Sequence, residues 1–446
     1  MSEMEWARLL SSVRFGDKDY AEQPHRPIYV QDADRIVFSA PFRRLANKTQ
    51  VHPLSSHDHI HHRLIHSAET ASAGRSLGMA VGHWLEETKA IAPGEQHKLA
   101  GMVSAACLAH DIGNPAFGHS GEKAIGHWFA DRFDRGQGIF ADVDRDLQAE
   151  FRDFEGNAQG FRILTRLEMY RGAGGMRLSL GVLGAFSKYP VTAHVQVNSG
   201  ADYCGLKKFG VFHSEAEYFA QIAARLGLLR EGTAQEAWWR RHPLVFLVEA
   251  ADDICYNIVD LEDGFAAGDL SFEQVIGCLE ALGGKPNQDQ SGYTQQEQIA
   301  YLRARSIGAA IQACVQAFKD NYQAIMTGQF SGSLVAASSK ADEFAAIERI
   351  AHNQLFTAPR KTKLEVRGRN VTHTVLNGLL PVYQALAVKG WQEDALPTYE
   401  RQLARAVDLD LRGVTDAYTA LHSLTDFVSG MTDRYAVDVA AMISGT

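Results

Sequence analysis

Four stretches of the sequence bring together side chains that can hold a metal ion or move a proton. The densest is LAHDIGNPAFGHSGEKAI, residues 108–125. An apolar helix runs into the adjacent pair His110-Asp111. Gly113-Asn114-Pro115 then ends it, because proline lacks an N–H and disfavours helical geometry at the residue before it. Adjacent helix positions normally face different ways, yet both side chains can reach one ion beside a helix end that opens into a loop. An imidazole nitrogen and a carboxylate oxygen suit Mn, Fe, Ni, Co, Zn or, less comfortably, Mg. Without a metal, the same pair is a capping histidine and a helix-end aspartate. Further on, His119 and Glu122 sit three apart at a new helix start and share a face. A carboxylate beside an imidazole orients it and favours its protonated form, which makes His119 a candidate acid for a departing oxygen. The plainer alternative is a first turn in which Glu122 complements the helix dipole.

The third stretch, VEAADDICYNIVDLEDG at 248–264, places Asp252, Tyr256 and Asp260 at i, i+4 and i+8 on one helix stripe. Such a stripe can hold a metal at one end and sugar hydroxyls further along. Ile254, Cys255, Ile258, Val259 and Leu261 make the rest of this helix apolar. Its carboxylates must then be paired or metal-bound, unless the acidic face is solvated. The fourth stretch, HPLSSHDHIHHRLIHSAET at 52–70, crowds six of the chain's 18 histidines between His52 and His66. Most read as loop histidines that titrate near neutrality. His66 differs: it lies in an amphipathic helix with Arg63 one turn earlier, and an imidazole beside a guanidinium suits a metal adjoining a phosphate. Upstream, PFRRLANKTQV at 41–51 supplies Arg43, Arg44, Lys48 and the amide of Gln50.

The elements that must position these groups are mainly helices. Apolar residues recur at three- and four-residue spacing over 62–91, 97–112, 119–133, 214–229, 243–263, 297–327 and 402–443. Alternating patterns are scarce; VTAHVQV (191–197) and KLEVRG (363–368) are the two candidate strands, enough for a small ribbon. Residues 132–153 and 284–298 read as solvated excursions, and the basic run 360–369 as a solvated ribbon or an anion site.

Length and composition set wider bounds. At about 150 residues per domain, the 446 residues suggest up to three domains. Apolar residues at 46% and charged residues at 22% are the balance of a globular protein with an ample core. A net charge of -9 argues against a nucleic-acid coat or a membrane-surface protein, while leaving room for a local basic pocket. The five scattered cysteines fit neither a disulfide framework nor a cysteine zinc site. With no secretory signal pattern and no apolar run near the length of a membrane span, the expected location is the cytoplasm.

Taken together the pieces read His66, then His110-Asp111, then Asp252, and in that order and spacing the chain resembles the HD phosphohydrolase superfamily. More narrowly, it looks like the deoxyguanosine triphosphate triphosphohydrolases and their close deoxynucleotide relatives. The resemblance rests on RRLANKTQV (43–51), HRLIHSAE (62–69), LAHDIGNPAFGHSGE (108–122), FEGNAQGFRIL (154–164), KKFGVFHSE (207–215), VEAADDICYNIVDLEDG (248–264) and SGMTDRYA (429–436). It implies a mainly α, HD-domain helical phosphohydrolase fold with a C-terminal helical extension and at most a small β ribbon. One large domain would span 1–446, with the HD core at about 43–265 and the C-terminal helical part at about 297–446.

The same resemblance implies that His66, His110, Asp111 and Asp252 bind one divalent metal ion per subunit, foremost Mn or Mg, with Fe, Ni, Co or Zn as alternatives. His119 and Glu122 match the family's catalytic pair. Arg63 and Lys208 would contact phosphates, Tyr256 and Asp260 the 3′-hydroxyl end of the deoxyribose, and Gln50 the nucleoside; Asn157 and Arg434 lie in matching blocks. The implied reaction is hydrolysis of dGTP or other dNTPs to the deoxynucleoside and inorganic triphosphate, by water attack at the α-phosphorus. Implied partners are the dNTP substrate, further copies of the chain (a hexamer by family resemblance), and a regulatory dNTP or single-stranded DNA, with no membrane. Two rivals stand beside it: an HD-type nucleotidase or phosphodiesterase, and a catalytically silent nucleotide sensor. The long chain and the Tyr256/Asp260 stripe weigh against the first, and a candidate at every ligand position weighs against the second.

Overall fold

The computed structural model describes residues 3–17, 20–23, 25–49, 62–172, 174–234, 236–355 and 359–445. The helices that build the site and its frame are α1 (Ile28–Val37), α2 (Arg63–Glu87), α3 (Glu95–Ala109), α4 (Gly118–Arg135), α5 (Leu180–Phe186), α6 (Pro243–Ala266), α7 (Phe272–Gly283), α8 (Gln295–Asp320), α9 (Pro359–Val388), α10 (Ala417–Gly430) and α11 (Asp433–Ser444). Among the described residues the one sheet is a two-stranded antiparallel ribbon, β1 (Arg230–Gly232) with β2 (Ala237–Trp239). The fold is therefore mainly α.

A stripe of glycines sets the central packing. Gly74, Gly78 and Gly82 recur every fourth residue on α2 and so line one face, against which α3 lies antiparallel. A Cβ on Gly78 would stand 2.7 Å from Ala100 Cα, and one on Gly82 would stand 2.8 Å from Gln96 Cα. This backbone-to-backbone approach brings the N-terminus of α2, with Arg63 and His66, alongside the C-terminus of α3, with His110 and Asp111. At Gly74 a Cβ would also meet Ala251 of α6 at 3.5 Å. Ala251 immediately precedes Asp252, so the small residues on α2 admit both helices to one point. Gly78→Ala tests this packing. Alanine gains about 1 kcal/mol of helix propensity, but the overpacking costs about 1–3 kcal/mol, because the opposing atom is backbone and cannot rotate away. A net destabilisation and a lower melting temperature are expected, read by thermal unfolding; a stabilised variant would contradict the close approach.

Around this hairpin, α1 packs on α3, α8 packs on α2 and α6, and α9 spans α4 and α11. The buried apolar residues form one cluster extending from Met4 to Ala440. A buried ionic tie joins the first half of the chain to the second: Arg162 donates to Glu215 at 2.8 Å and to Asp426 of α10 at 2.9 Å. None of the described helices is long and apolar enough to cross a membrane.

The expected strands are corrected. Residues 193–198 form a short helix after Thr192, and 363–368 lie inside α9. In KLEVRG a few alternating residues mimic a strand, but Leu364, Gly368, Thr372, Val375 and Leu379 continue a three- and four-residue spacing, and the longer period prevails. The basic run 360–369 is thus helical. Periodicity also overran two breaks. The expected helix at 402–443 divides into Thr398–Ala406, α10 and α11, with Asp408 and Gly413 at positive φ in the gap. Residues 132–153 are less solvated than their Asp and Arg content suggests, because Phe133, Ile139, Phe140, Val143 and Phe151 are buried. Residues 284–298 are largely exposed, as expected.

Candidate active site

His66, His110 and Asp111 present ligand atoms within 4.8 Å of one another. Asp252 joins them from α6: its Oδ1 lies 2.9 Å from His66 Nε2 and 3.5 Å from His110 Nε2. The backbone explains how an adjacent pair can converge. α3 ends at Ala109, so His110 and Asp111 occupy the turn beyond it. Their surroundings then orient them. His110 Nδ1 lies 2.6 Å from the Cys107 carbonyl oxygen, which keeps a proton on Nδ1 and turns Nε2 towards the cluster. That Nε2 is buried and makes no hydrogen bond. Asp111 is held through Oδ2 by Arg63 Nη1 at 2.7 Å and through Oδ1 by the amide of Asn114.

The electrostatics are those of a cation site. Burial alone would lower the His110 imidazole, but the carboxylates of Asp111 and Asp252 outweigh it and push its pKa up to about 9. Burial would raise Asp252, and the His110 charge instead holds it well below the usual carboxylate range. Asp111 is likewise lowered: burial would raise it, but the Arg63 guanidinium together with His110 and His66 outweighs that. Two imidazoles and two carboxylates, with one nitrogen buried and unsatisfied, can hold a divalent first-row ion.

This cluster opens on a cavity of about 380 Å³, in the range of a small-molecule site. His119 and Glu122 stand on its wall at the start of α4. His119 Nδ1 lies 2.6 Å from Glu122 Oε2, and Glu122 Oε1 accepts the Gly156 N–H at 2.9 Å. The carboxylate is almost fully buried while the His119 side chain is 79% exposed, so the free ring edge can face a ligand. Burial would raise Glu122, yet the His119 hydrogen bond holds it below the usual range. Lys208 and Tyr256 also line the cavity, as does Asn157. Lys208 is tied to Glu155 at 2.9 Å, whose carboxyl is pushed up to about 7 by burial and by neighbouring Glu122.

Asp260 is not on the cavity wall. It is buried one turn beyond Tyr256 and hydrogen-bonds that phenol, so it can orient the tyrosine. Arg434 is exposed and away from the cavity. Gln50 lies outside the described residues, as does the histidine run 52–61. Sequence reasoning passed over Lys188, Tyr189 and Glu249, which line the cavity. Glu249 was accessible from spacing, one turn before Asp252. It binds Lys188 at 3.3 Å and Arg241 at 3.0 Å. It also passed over Leu364 and Glu365, by which α9 closes one side of the cavity.

Similarity to known proteins runs along almost the whole chain. A Pseudomonas aeruginosa protein named deoxyguanosinetriphosphate triphosphohydrolase-like protein is 39% identical over 458 residues, covering 99% of each chain. A Synechocystis protein of the same name is 38% identical over 447 residues, again covering 99% of each. A Klebsiella pneumoniae protein named deoxyguanosinetriphosphate triphosphohydrolase is 29% identical over 484 residues, covering 92% of each. No family model matches the chain.

Proposed function

The chain belongs to the family of deoxyguanosinetriphosphate triphosphohydrolase-like proteins, and from that premise we propose that it hydrolyses deoxynucleoside triphosphates to deoxynucleoside and inorganic tripolyphosphate. The observation that carries this reading is the floor of the cavity, where the unsatisfied His110 Nε2 meets His66, Asp111 and Asp252 beneath the His119–Glu122 pair. These four residues would hold a divalent ion of the HD-superfamily type, foremost Mn or Mg. Bound there, the ion supplies Lewis acidity towards an α-phosphate oxygen and lowers the pKa of water.

The protein's own groups do the rest. Arg63, Lys188 and Lys208 place three cations on the cavity lining, each now paired with a carboxylate: Asp111, Glu249 and Glu155. A triphosphate entering the cavity competes for these cations, so its charge is met locally despite the acidic chain. Tyr256 lines the cavity and is oriented by Asp260, so its ring would stack against a sugar, and a deoxyribose would suit that contact better than a ribose. His119 is the group with an exposed ring nitrogen and a buried carboxylate behind it. Ionised Glu122 holds the Nδ1 proton, and a second proton carried on Nε2 passes to the departing 5′-oxygen. The buried cluster from Met4 to Ala440 supports reading the chain as one large domain rather than three.

Incubation of the purified protein with each dNTP and Mn or Mg, followed by phosphorus NMR of the products, tests the proposal. Tripolyphosphate is expected. Orthophosphate would mark a nucleotidase, and tight binding without any product would mark a sensor.

A further inference from the structure

The loop that delivers His119 to the cavity is held by the far end of the chain, and we infer that Asp433 is a positioning residue for the hydrolysis proposed above, on which this inference rests. From Pro115 into the first residue of α4 the backbone passes through two left-handed residues in succession, Phe117 at φ 63° and Gly118 at φ 56°. Glycine adopts this geometry freely and phenylalanine does not, so the neighbours of Phe117 must enforce it. They do so from two sides. Its ring packs under Gly368 of α9, where a Cβ would stand 2.8 Å from the ring. Its N–H donates to Asp433 Oδ1 at 2.9 Å, across 316 residues of sequence.

Asp433 is buried at the first position of α11. Its other oxygen accepts the Thr49 N–H at 3.1 Å and the Thr49 hydroxyl at 2.7 Å. One carboxylate therefore satisfies three donors. The start of the same loop is held in parallel: Lys48 Nζ donates to the Asn114 carbonyl at 2.6 Å and to the Ser429 carbonyl at 2.8 Å. The segment 429–433 thus holds Phe117 directly and Asn114 through Lys48. His119 follows Gly118, and His110-Asp111 lies just upstream of Ile112 and Gly113. In the SGMTDRYA block it is Asp433, and not the exposed Arg434, that reaches the site.

Asparagine is the discriminating replacement, because it keeps the shape but has one accepting oxygen. At either Phe117 or Thr49 it must set its own NH2 against an N–H. Displacing a catalytic group by about 1 Å costs on the order of 10²-fold in rate, while substrate contacts elsewhere are untouched. Asp433→Asn and Asp433→Ala are therefore compared with wild type for steady-state dNTP hydrolysis, bound metal, and deuterium uptake across residues 114–120. Uptake in that segment is expected to rise roughly tenfold with none in α3. In parallel kcat should fall roughly 10²-fold, with KM within about threefold and metal content unchanged. If the alanine variant does not fold, the asparagine variant decides. Unchanged uptake, a loosened segment with normal kcat, or a loss confined to KM overturns the inference. If wild type yields no tripolyphosphate from any dNTP, the functional reading fails on its own. Uptake then decides whether Asp433 sets the His119 loop.

Discussion

Asp252→Ala is expected to abolish binding of the proposed divalent ion and to lower dNTP hydrolysis by roughly three orders of magnitude, about 4 kcal/mol of barrier. The size follows from how charge is distributed in the cluster. Asp111 is the nearer carboxylate in sequence to His110, but Arg63 bonds it at 2.7 Å and already compensates its charge. Asp252 makes no such guanidinium bond among the described residues; what lowers it is the imidazoles of His110 and His66. On the proposed reading it is the carboxylate that would answer the charge of a bound ion, and removing it would leave two imidazoles and one carboxylate already paired with Arg63. The fold should survive. The helix carrying Asp252 is anchored by Ile254, Ile258 and Leu261, all buried, and circular dichroism should remain that of wild type. Metal content by mass spectrometry and turnover with Mn or Mg provide the measurement. A fully metallated, active Asp252→Ala protein would falsify the assignment of the ligand set.

What could be read from the sequence, and what could not, follows from the range of the interactions. His66, His110, Asp111 and Asp252 were legible because each sits on or at the end of a strongly periodic helix, and because four rare groups in one order are improbable by accident. The structure brings these four together, along with Arg63, His119 and Glu122. The glycine stripe at 74, 78 and 82 was equally present in the sequence, and it fixes the α2–α3 register that makes the cluster meet. Lys188 was not legible: a single lysine after a buried apolar run has no periodic partner, and only the packing of α5 against α6 brings it to Glu249. Nor were Leu364 and Glu365, because the short alternating segment that holds them mimics a strand although its helical period extends well beyond it. Asp433 carried no signal of its own. Its role depends on a backbone N–H in another part of the chain, and backbone donors leave no mark in side-chain patterns.

His119→Ala is expected to keep its bound metal and its KM while losing roughly 10²- to 10⁴-fold in kcat, the usual contribution of a positioned general acid. The argument rests on the asymmetry of the pair. Glu122 is 8% exposed and doubly hydrogen-bonded, by His119 and by the Gly156 N–H, so its orientation is set by the fold and not by the ligand. Its hydrogen bond to His119 holds it below the usual carboxylate range against the opposing effect of burial. It is thus ionised at neutral pH and steadies the imidazolium that a proton donor requires. Glu122→Gln removes that charge and keeps the hydrogen-bonding shape, so its effect measures what the charge adds to the pair. Its kcat should fall less than that of His119→Ala, with KM unchanged. Unchanged turnover in His119→Ala would remove the residue from catalysis altogether. A loss in Glu122→Gln as deep as that in His119→Ala would retain the pair but assign it to orienting the attacking water.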